Sequence, residues 1–161
     1  MALPTDWKEF LQSLNSNSVD YTLVGAFSVM YHAIPRTTSD IDILVRPTLE
    51  NGARVVAALR NFGFGSSGLT AEDFVVPGQF LQLGYVPNRI DLLTAISGVT
   101  IEEIWAGRVL ADLEGIPVWI LGKDELIRNK RSVDRLKDRT DLEILERPTG
   151  GSEKPPGRRL E

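Results

Sequence analysis

The sequence has no cysteine and only one histidine, His32, among its 161 residues. Without cysteine, neither a disulfide nor a thiolate metal site can form, and a single histidine cannot build a histidine-rich zinc site. Any metal that this chain binds must therefore be held by oxygen ligands.

Long apolar runs are absent too. No stretch approaches the roughly 18 apolar residues that span a bilayer, and the N-terminal segment "MALPTDWKEF" lacks the basic and apolar regions of a signal peptide. We therefore expect a cytoplasmic protein with no membrane partner. The formal net charge of −4 argues against broad contact with nucleic-acid phosphates. The locally basic segment "RNKRSVDRLKDR" leaves such a partner open.

The chain does have the apolar content, 42%, that one domain with a real core requires. Helical periodicity alternates with short apolar runs and no segment repeats, which predicts a mixed α/β (α+β) domain. We expect a single domain over residues 1–146. Residues 147–161 are rich in proline, glycine and charge, and we expect them to form a flexible tail.

Local signals predict the order of the elements. The N-terminal part is expected to contain a helix from Asp6 with Glu9 as its capping partner, the strand "VDYTLVG" and the helix "AFSVMYHAI". A strand from Asp40 to Arg46 follows, then a helix capped by Thr48 and ending at Gly63, a loop over 65–78 and a hairpin around Pro87 and Asn88. The C-terminal part is expected to contain a helix with a Thr100–Glu103 capping box, the hairpin "VLADLEGIPVWIL", and helices near 124–131 and 134–145.

Two carboxylates open the apolar strand "SDIDILV". Side chains two residues apart point to the same face of a strand, so Asp40 and Asp42 repel each other unless a partner compensates their charge. Mg²⁺ is the natural partner because it prefers oxygen ligands. The alternative is that Asp40 caps a turn while Asp42 faces solvent.

Two further residues favour a phosphate-handling site. Asp91, in "RIDLLT", supplies a third acid at the start of another strand. Gly25 ends one strand and opens a helix, an arrangement that offers backbone amides to phosphate.

Together, "LVGAFSVMYHAIPRTTSDIDILV" and "RIDLLT" resemble the DNA polymerase β-like nucleotidyltransferase superfamily, which combines a glycine turn, a D-x-D strand and a third Asp on a neighbouring strand. The segments "LGYVPNRIDLLTAISGVTIEEIWAGRV" and "DELIRNKRSVDRLKDRTDLEIL" look similar to its minimal bacterial, AbiEii-related branch. The resemblance covers residues 19–146. It implies a nucleotidyltransferase fold, with a small mixed β-sheet flanked by helices and with C-terminal helices.

The resemblance also implies the site. Asp40, Asp42 and Asp91 would be the catalytic and metal-binding residues, with Mg²⁺ or Mn²⁺ as cofactor. The nucleotide-binding residues would be Gly25, Ala26, Ser28, Arg36 and Lys130. The substrates would be an NTP, such as ATP, and an unidentified acceptor hydroxyl on a protein, an RNA end or a small molecule. One departure is Gly25-Ala26, where the superfamily has Gly-Gly or Gly-Ser.

Two alternatives stay open, the first of them because of that departure. The chain could be a catalytically inactive nucleotide- or metal-binding module, such as a toxin–antitoxin component with an RNA or protein partner. It could also be a structural protein whose acids bind a cation only for stability.

Other conspicuous residues have simpler interpretations. The charged helix face around Lys130 is typical of a solvated surface. Asp138 and Asp141 match an acidic element of the same branch, and we interpret them mainly as structural ion-pair partners of Arg135, Lys137 or Arg128, which contribute only tenths of a kcal/mol each if exposed. His32 and the tryptophans are expected to serve packing; the tryptophans are Trp7, Trp105 and Trp119.

Overall fold

A computed structural model of the chain describes residues 3–65, 68–133 and 135–147. Within these ranges, six α-helices and six strands follow one another along the chain. The helices are α1 (Thr5–Ser16), α2 (Ala26–His32), α3 (Leu49–Leu59), α4 (Ile101–Gly107), α5 (Lys123–Val133) and α6 (Leu136–Glu146). The strands are β1 (Tyr21–Val24), β2 (Asp40–Val45), β3 (Phe80–Leu83), β4 (Arg89–Leu93), β5 (Val109–Leu113) and β6 (Ile116–Ile120).

The strands form one mixed sheet in the order β3-β4-β2-β1-β6-β5. Strands β2 and β4 are parallel neighbours, and so are β1 and β6. The pairs β1–β2, β3–β4 and β5–β6 are antiparallel. The last two are the hairpins that the sequence predicted, and a mixed sheet flanked by helices is confirmed as the fold class.

Strand β2 shows how the sheet separates its two faces. Ile41, Ile43 and Val45 point to one face, where they join the larger apolar core with residues of α1 and α3. Leu44 points to the other face, in a smaller core with residues of α2, α4, α5 and α6. Because side chains alternate along a strand, Asp40 and Asp42 share the face of Leu44. The alternation therefore directs both acids toward the side of the sheet that the C-terminal helices cover.

Several predicted helix starts are confirmed. The Thr48 hydroxyl accepts a hydrogen bond from the Asn51 amide at 3.1 Å, which caps α3. Thr100 and Glu103 form the expected capping box of α4. After α3 a π-helical turn, Arg60–Phe64, contains Gly63 at φ 111°, close to the predicted end of the helix.

Two local predictions are wrong. The first helix begins at Thr5 after Pro4, with no side-chain cap, and Asp6 lies inside the first turn. A carboxylate is favourable there because it faces the positive end of the helix dipole. The predicted loop over 65–78 contains a short 3₁₀ helix, Ala71–Phe74, which the buried side chain of Phe74 anchors to the core.

No helix in the described ranges combines the length and the apolar character needed to cross a membrane. The predicted flexible tail falls, apart from Arg147, outside the described residues.

Candidate functional site

Three carboxylates converge on the helix-covered face of the sheet. Asp42 on β2 lies directly opposite Asp91 on the parallel strand β4. Asp40 lies two residues before Asp42, on the same face of β2. Each of the three side chains offers an oxygen within 4.8 Å of the others. We call Asp40, Asp42 and Asp91 the acid cluster. The structure therefore brings the three predicted acids together in space, and their role as metal ligands stays a prediction.

Gly25 allows the main chain to approach this cluster. Its φ of 64° and ψ of −142° lie in a region that residues with a Cβ rarely adopt. A Cβ at this position would lie 2.2 Å from Asp42 Oδ2. Only glycine can therefore connect β1 to α2 while the Asp42 carboxylate keeps its position.

Arg89 is a site residue that the sequence interpretation missed. It donates from Nε to Asp91 Oδ1 at 2.9 Å and from Nη2 to Asp91 Oδ2 at 3.1 Å. Nη2 also donates to Asp40 Oδ2 at 2.8 Å. Arg89 precedes Asp91 by two residues on β4, so the same period of two that pairs Asp40 with Asp42 identifies it.

Charge in the acid cluster is incompletely compensated. Burial raises the pKa of Asp42, and the neighbouring Asp40 and Asp91 raise it further, to about 7. Arg89 acts in the opposite direction but does not offset these effects. At neutral pH the folded protein therefore carries Asp42 partly protonated unless a further cation is supplied.

This donor set fits a divalent cation. It consists of carboxylate oxygens from two adjacent strands, and the repulsion among them is what a bound cation would relieve. Mg²⁺ and Mn²⁺ prefer oxygen ligands of this kind. The residues present therefore fit the expected metal.

The acid cluster forms one wall of a cleft of about 420 Å³. Gly25 and Ala26 border the cleft beside the acids. The lining also includes basic side chains of the C-terminal segment, and the rest of it is apolar or uncharged. The basic residues are Lys130, Arg135 and Lys137, and the apolar ones include Phe80, Leu93, Ile96 and Val133.

Two of the predicted nucleotide-binding residues lie outside the cleft lining. Ser28 is fully buried, and its hydroxyl donates to the Gly25 carbonyl at 2.7 Å, so it stabilises the turn from within. Arg36 lies in a neighbouring cavity, where its guanidinium binds the carboxylate of Asp141.

Lys130 does line the cleft, but it is not the solvated residue that its charged sequence context predicted. Its Nζ lies 3.0 Å from Asp138 Oδ1 and 3.1 Å from Asp141 Oδ2. All three side chains are buried, with relative exposures of 7%, 0% and 1%. The expectation of a solvated helix face around Lys130 is therefore wrong, because α6 packs its two acids directly onto α5.

The remaining partners of these acids complete what we call the ion-pair cluster, which consists of Arg36, Lys130, Arg135, Asp138 and Asp141. Arg135, an expected partner, donates from Nε to Asp138 Oδ2 at 2.7 Å. Arg128, also expected, instead binds Glu103 and Glu125.

Charge in the ion-pair cluster is well compensated. Burial acts to raise the pKa of Asp138, but hydrogen bonds from Arg135 and Lys130 outweigh it and lower the pKa to about 2. Burial also acts to raise the pKa of Asp141. Hydrogen bonds from Arg36 and Lys130 outweigh burial, so the pKa of Asp141 is lowered. Both carboxylates are therefore fully ionised at neutral pH.

The predicted packing roles of His32 and Trp7 are confirmed. His32 is buried and its Nε2 bonds the Leu121 carbonyl at 2.7 Å. Trp7 is buried edge-on against Phe27. Trp105 and Trp119 are half-buried and stack on the guanidinium of Arg108, away from the cleft lining.

The six-stranded mixed sheet, the glycine turn and the acids on adjacent strands define a nucleotidyltransferase fold, and three solved structures share it. A crystal structure of ANT(2'')-Ia in complex with adenylyl-2''-tobramycin has a TM-score of 0.53 at 15% identity, over 86% of this chain and 84% of that one. A solution structure of the antibiotic-resistance factor ANT(2'')-Ia gives 0.55 at 14% identity, over 88% and 80% of the two chains.

The third is a crystal structure of an antigenic nucleotidyltransferase-like protein from Paracoccidioides brasiliensis, with a TM-score of 0.54 at 14% identity, over 90% of this chain and 76% of that one. No protein-family profile matches the sequence. No curated protein matches it either. At these identities the likeness establishes the fold, and the argument for function rests on the site.

Proposed function

We propose that this protein is a metal-dependent nucleotidyltransferase that transfers an NMP group from an NTP to an acceptor hydroxyl, and that it belongs to the AbiEii-related branch of its superfamily. The observation that carries the proposal is the acid cluster, with three carboxylate oxygens within 4.8 Å of one another beside a turn that requires glycine. Incompletely compensated acids that face a cleft are costly to folding, so they indicate a cationic ligand.

The reaction is an in-line displacement at the α-phosphorus of the NTP. An oxygen of the acceptor forms the new bond to phosphorus, and the bond from phosphorus to the bridging oxygen of the β-phosphate breaks. Pyrophosphate leaves with that electron pair. When bound, Mg²⁺ or Mn²⁺ neutralises charge on the attacking and leaving oxygens.

The carboxylates supply the remaining chemistry. Asp40 and Asp42 would hold the metal together with Asp91. Asp91, which lines the cleft, would also accept the proton of the acceptor hydroxyl. Arg89 holds Asp91 and Asp40 at hydrogen-bond distance in the metal-free protein, and it would keep the carboxylates aligned until the metal replaces part of its role.

The walls of the cleft would bind the nucleotide. Backbone groups at Gly25 and Ala26 would border the phosphates, and Lys130, Arg135 and Lys137 add positive charge to the same lining. The apolar lining offers a surface for the base. Lys130 would mainly hold the C-terminal helices in place at the cleft, because its ammonium group is already bonded to two carboxylates.

A second candidate is a nucleotide-binding module without transfer activity, such as a toxin–antitoxin component that acts on an RNA or protein partner. Two observations favour it. Ala26 adds a methyl group at the mouth of the cleft, and the Ser28 hydroxyl is used inside the protein.

The test is a transfer assay with NTPs labelled at the α-phosphate, in Mg²⁺ or Mn²⁺, against total tRNA, protein extract and aminoglycosides. The proposal expects label on one acceptor class, lost in Asp42→Asn and kept in Asp6→Asn, which removes an equal charge from the exposed first turn of α1. Nucleotide binding without label transfer would support the second candidate. Absence of both binding and transfer would contradict both.

A further inference from the structure

A second cavity, of about 520 Å³, adjoins the cleft. The two share three lining residues, Ala26, Thr38 and Lys137, which therefore form the boundary between them. The Thr38 hydroxyl donates to the Asp40 main-chain carbonyl at 3.0 Å, so this boundary is attached directly to the acid cluster. The remaining lining of the second cavity is Arg36, Thr37, Leu136, Thr140 and Asp141.

The lining of the second cavity is suited to an oxyanion. Arg36 and Lys137 supply two cations, and Thr37 supplies a hydroxyl donor. The Thr38 and Thr140 hydroxyls also line the cavity; without an anion they donate to the main-chain carbonyls of Asp40 and Leu136, and either can rotate toward an oxyanion. Asp141 is the single acid of the lining, and Arg36 and Lys130 already bind its carboxylate. The acid therefore holds the Arg36 guanidinium in position and adds little net negative charge to the cavity.

The in-line geometry of the displacement relates the second cavity to pyrophosphate, the leaving group. In an in-line displacement the acceptor and the pyrophosphate lie on opposite sides of the reacting phosphorus. The basic residues of the cleft lining attract the terminal phosphates, and Lys137 belongs both to that lining and to the second cavity. The proposed base Asp91, which Arg89 holds, lines the cleft and not the second cavity, so we assign the acceptor to the cleft side of the phosphorus.

We propose that the second cavity binds inorganic pyrophosphate, the product that leaves the cleft past Ala26 and Thr38. This inference rests on the proposed function and names an exit site for its product. Arg36 and Thr140 bind the anion there without belonging to the acid cleft.

The test is calorimetric titration of the whole chain with inorganic pyrophosphate in the presence of Mg²⁺. The variant Thr140→Glu puts a carboxylate into the second cavity at an exposed position, whereas Arg36→Gln would also weaken the support of buried Asp141. Arg54→Gln changes the net charge by the same −1 on exposed α3 and serves as the matched control. Amide spectra by NMR report which residues the anion contacts.

We expect pyrophosphate to shift the amide signals of Thr37 and Thr140, and its affinity to fall about tenfold or more in Thr140→Glu with no change in Arg54→Gln. The proposal is overturned if pyrophosphate does not bind, or if it binds wild type and Thr140→Glu with equal affinity. It is also overturned if sulfate at the same ionic strength shifts the amide signals of Thr37 and Thr140 equally.

The two proposals fail separately. NTP transfer without Thr140-dependent pyrophosphate binding overturns the exit site and leaves the proposed function standing. Thr140-dependent binding in a chain that transfers no nucleotide supports the anion site and contradicts the proposed function.

Discussion

Two groups of charged residues, each with buried carboxylates, lie near the same cleft and differ in how well their charges are balanced. The acid cluster has three carboxylates and one guanidinium partner, and the pKa of Asp42 rises to about 7. The ion-pair cluster has two carboxylates and three cations, and the pKa of Asp138 falls to about 2. A cluster whose charges are compensated stabilises the fold, whereas a cluster with excess negative charge indicates a missing cationic partner.

The difference also separates what the two clusters contribute to stability. Removing one member of a buried, satisfied pair leaves an uncompensated charge and is strongly destabilising. Removing one member of a like-charge group relieves repulsion, so the same kind of substitution has the opposite sign. Substitutions in the two clusters therefore test the comparison directly.

The largest expected effect is in the ion-pair cluster. Lys130→Met keeps most of the side-chain volume but leaves buried Asp138 and Asp141 without their shared cation. We expect the free energy of unfolding to fall by about 3–5 kcal/mol, measured by urea denaturation. As a control, Arg131→Gln removes an exposed ion pair with Glu146 and should change it by less than about 1 kcal/mol. Equal, small effects of both substitutions would mean that Lys130 is not a structural cation.

A smaller loss is expected at the glycine turn. Gly115→Ala introduces a Cβ at φ 88° into open space, and the backbone strain should cost about 1–2 kcal/mol. Gly25→Ala has similar strain and also a contact of 2.2 Å with Asp42 Oδ2, so it should cost more. Thermal and urea melts of both variants measure the difference. If Gly25→Ala is no more destabilising than Gly115→Ala, the acid cluster does not require the close approach of this turn.

The pH dependence of the two clusters should have opposite sign. Because the folded pKa of Asp42 is about 7, above its unfolded value of 3.8, the folded state holds the extra proton between about pH 4 and 7. Its contribution to stability without metal therefore falls as the pH rises through that window. Asp138, with a pKa of about 2, stabilises the fold above about pH 4 and loses this contribution as the pH falls toward 2.

Urea melts of wild type and Asp42→Asn in EDTA, from pH 4 to 8, isolate the Asp42 contribution. We expect the difference between the two proteins to grow with pH up to about 7 and then to level off. A difference that is constant with pH would show that Asp42 ionises normally in the folded protein.

Much of the fold and the acid cluster could be predicted because local rules determine them. Alternation along β2 and β4 places Asp40, Asp42 and Asp91 on one face, whatever covers that face. The glycine turn before α2 follows from Gly25 alone. Arg89 obeys the same alternation, since it lies two residues before Asp91 on β4.

The ion-pair cluster could not be predicted in the same way. The segment that carries Lys130 and Asp138 is rich in charge, and helical periodicity gives no sign that α6 covers α5 there. Burial of these residues depends on packing between two helices, which the spacing of charges within each helix does not determine. Arg36 reaches Asp141 across 105 residues, a contact that no local pattern contains.

The most direct test of the comparison is a set of four urea melts at pH 7, with wild type and Asp42→Asn each in EDTA and in saturating Mg²⁺. In EDTA we expect Asp42→Asn to match or exceed the stability of wild type, by up to about 2 kcal/mol, because it relieves repulsion worth about one pKa unit or more. In Mg²⁺ the order should reverse, since only wild type keeps the full set of oxygen ligands. A variant that is clearly less stable than wild type in EDTA, and that gains as much from Mg²⁺, would contradict the assignment of the acid cluster as a metal site.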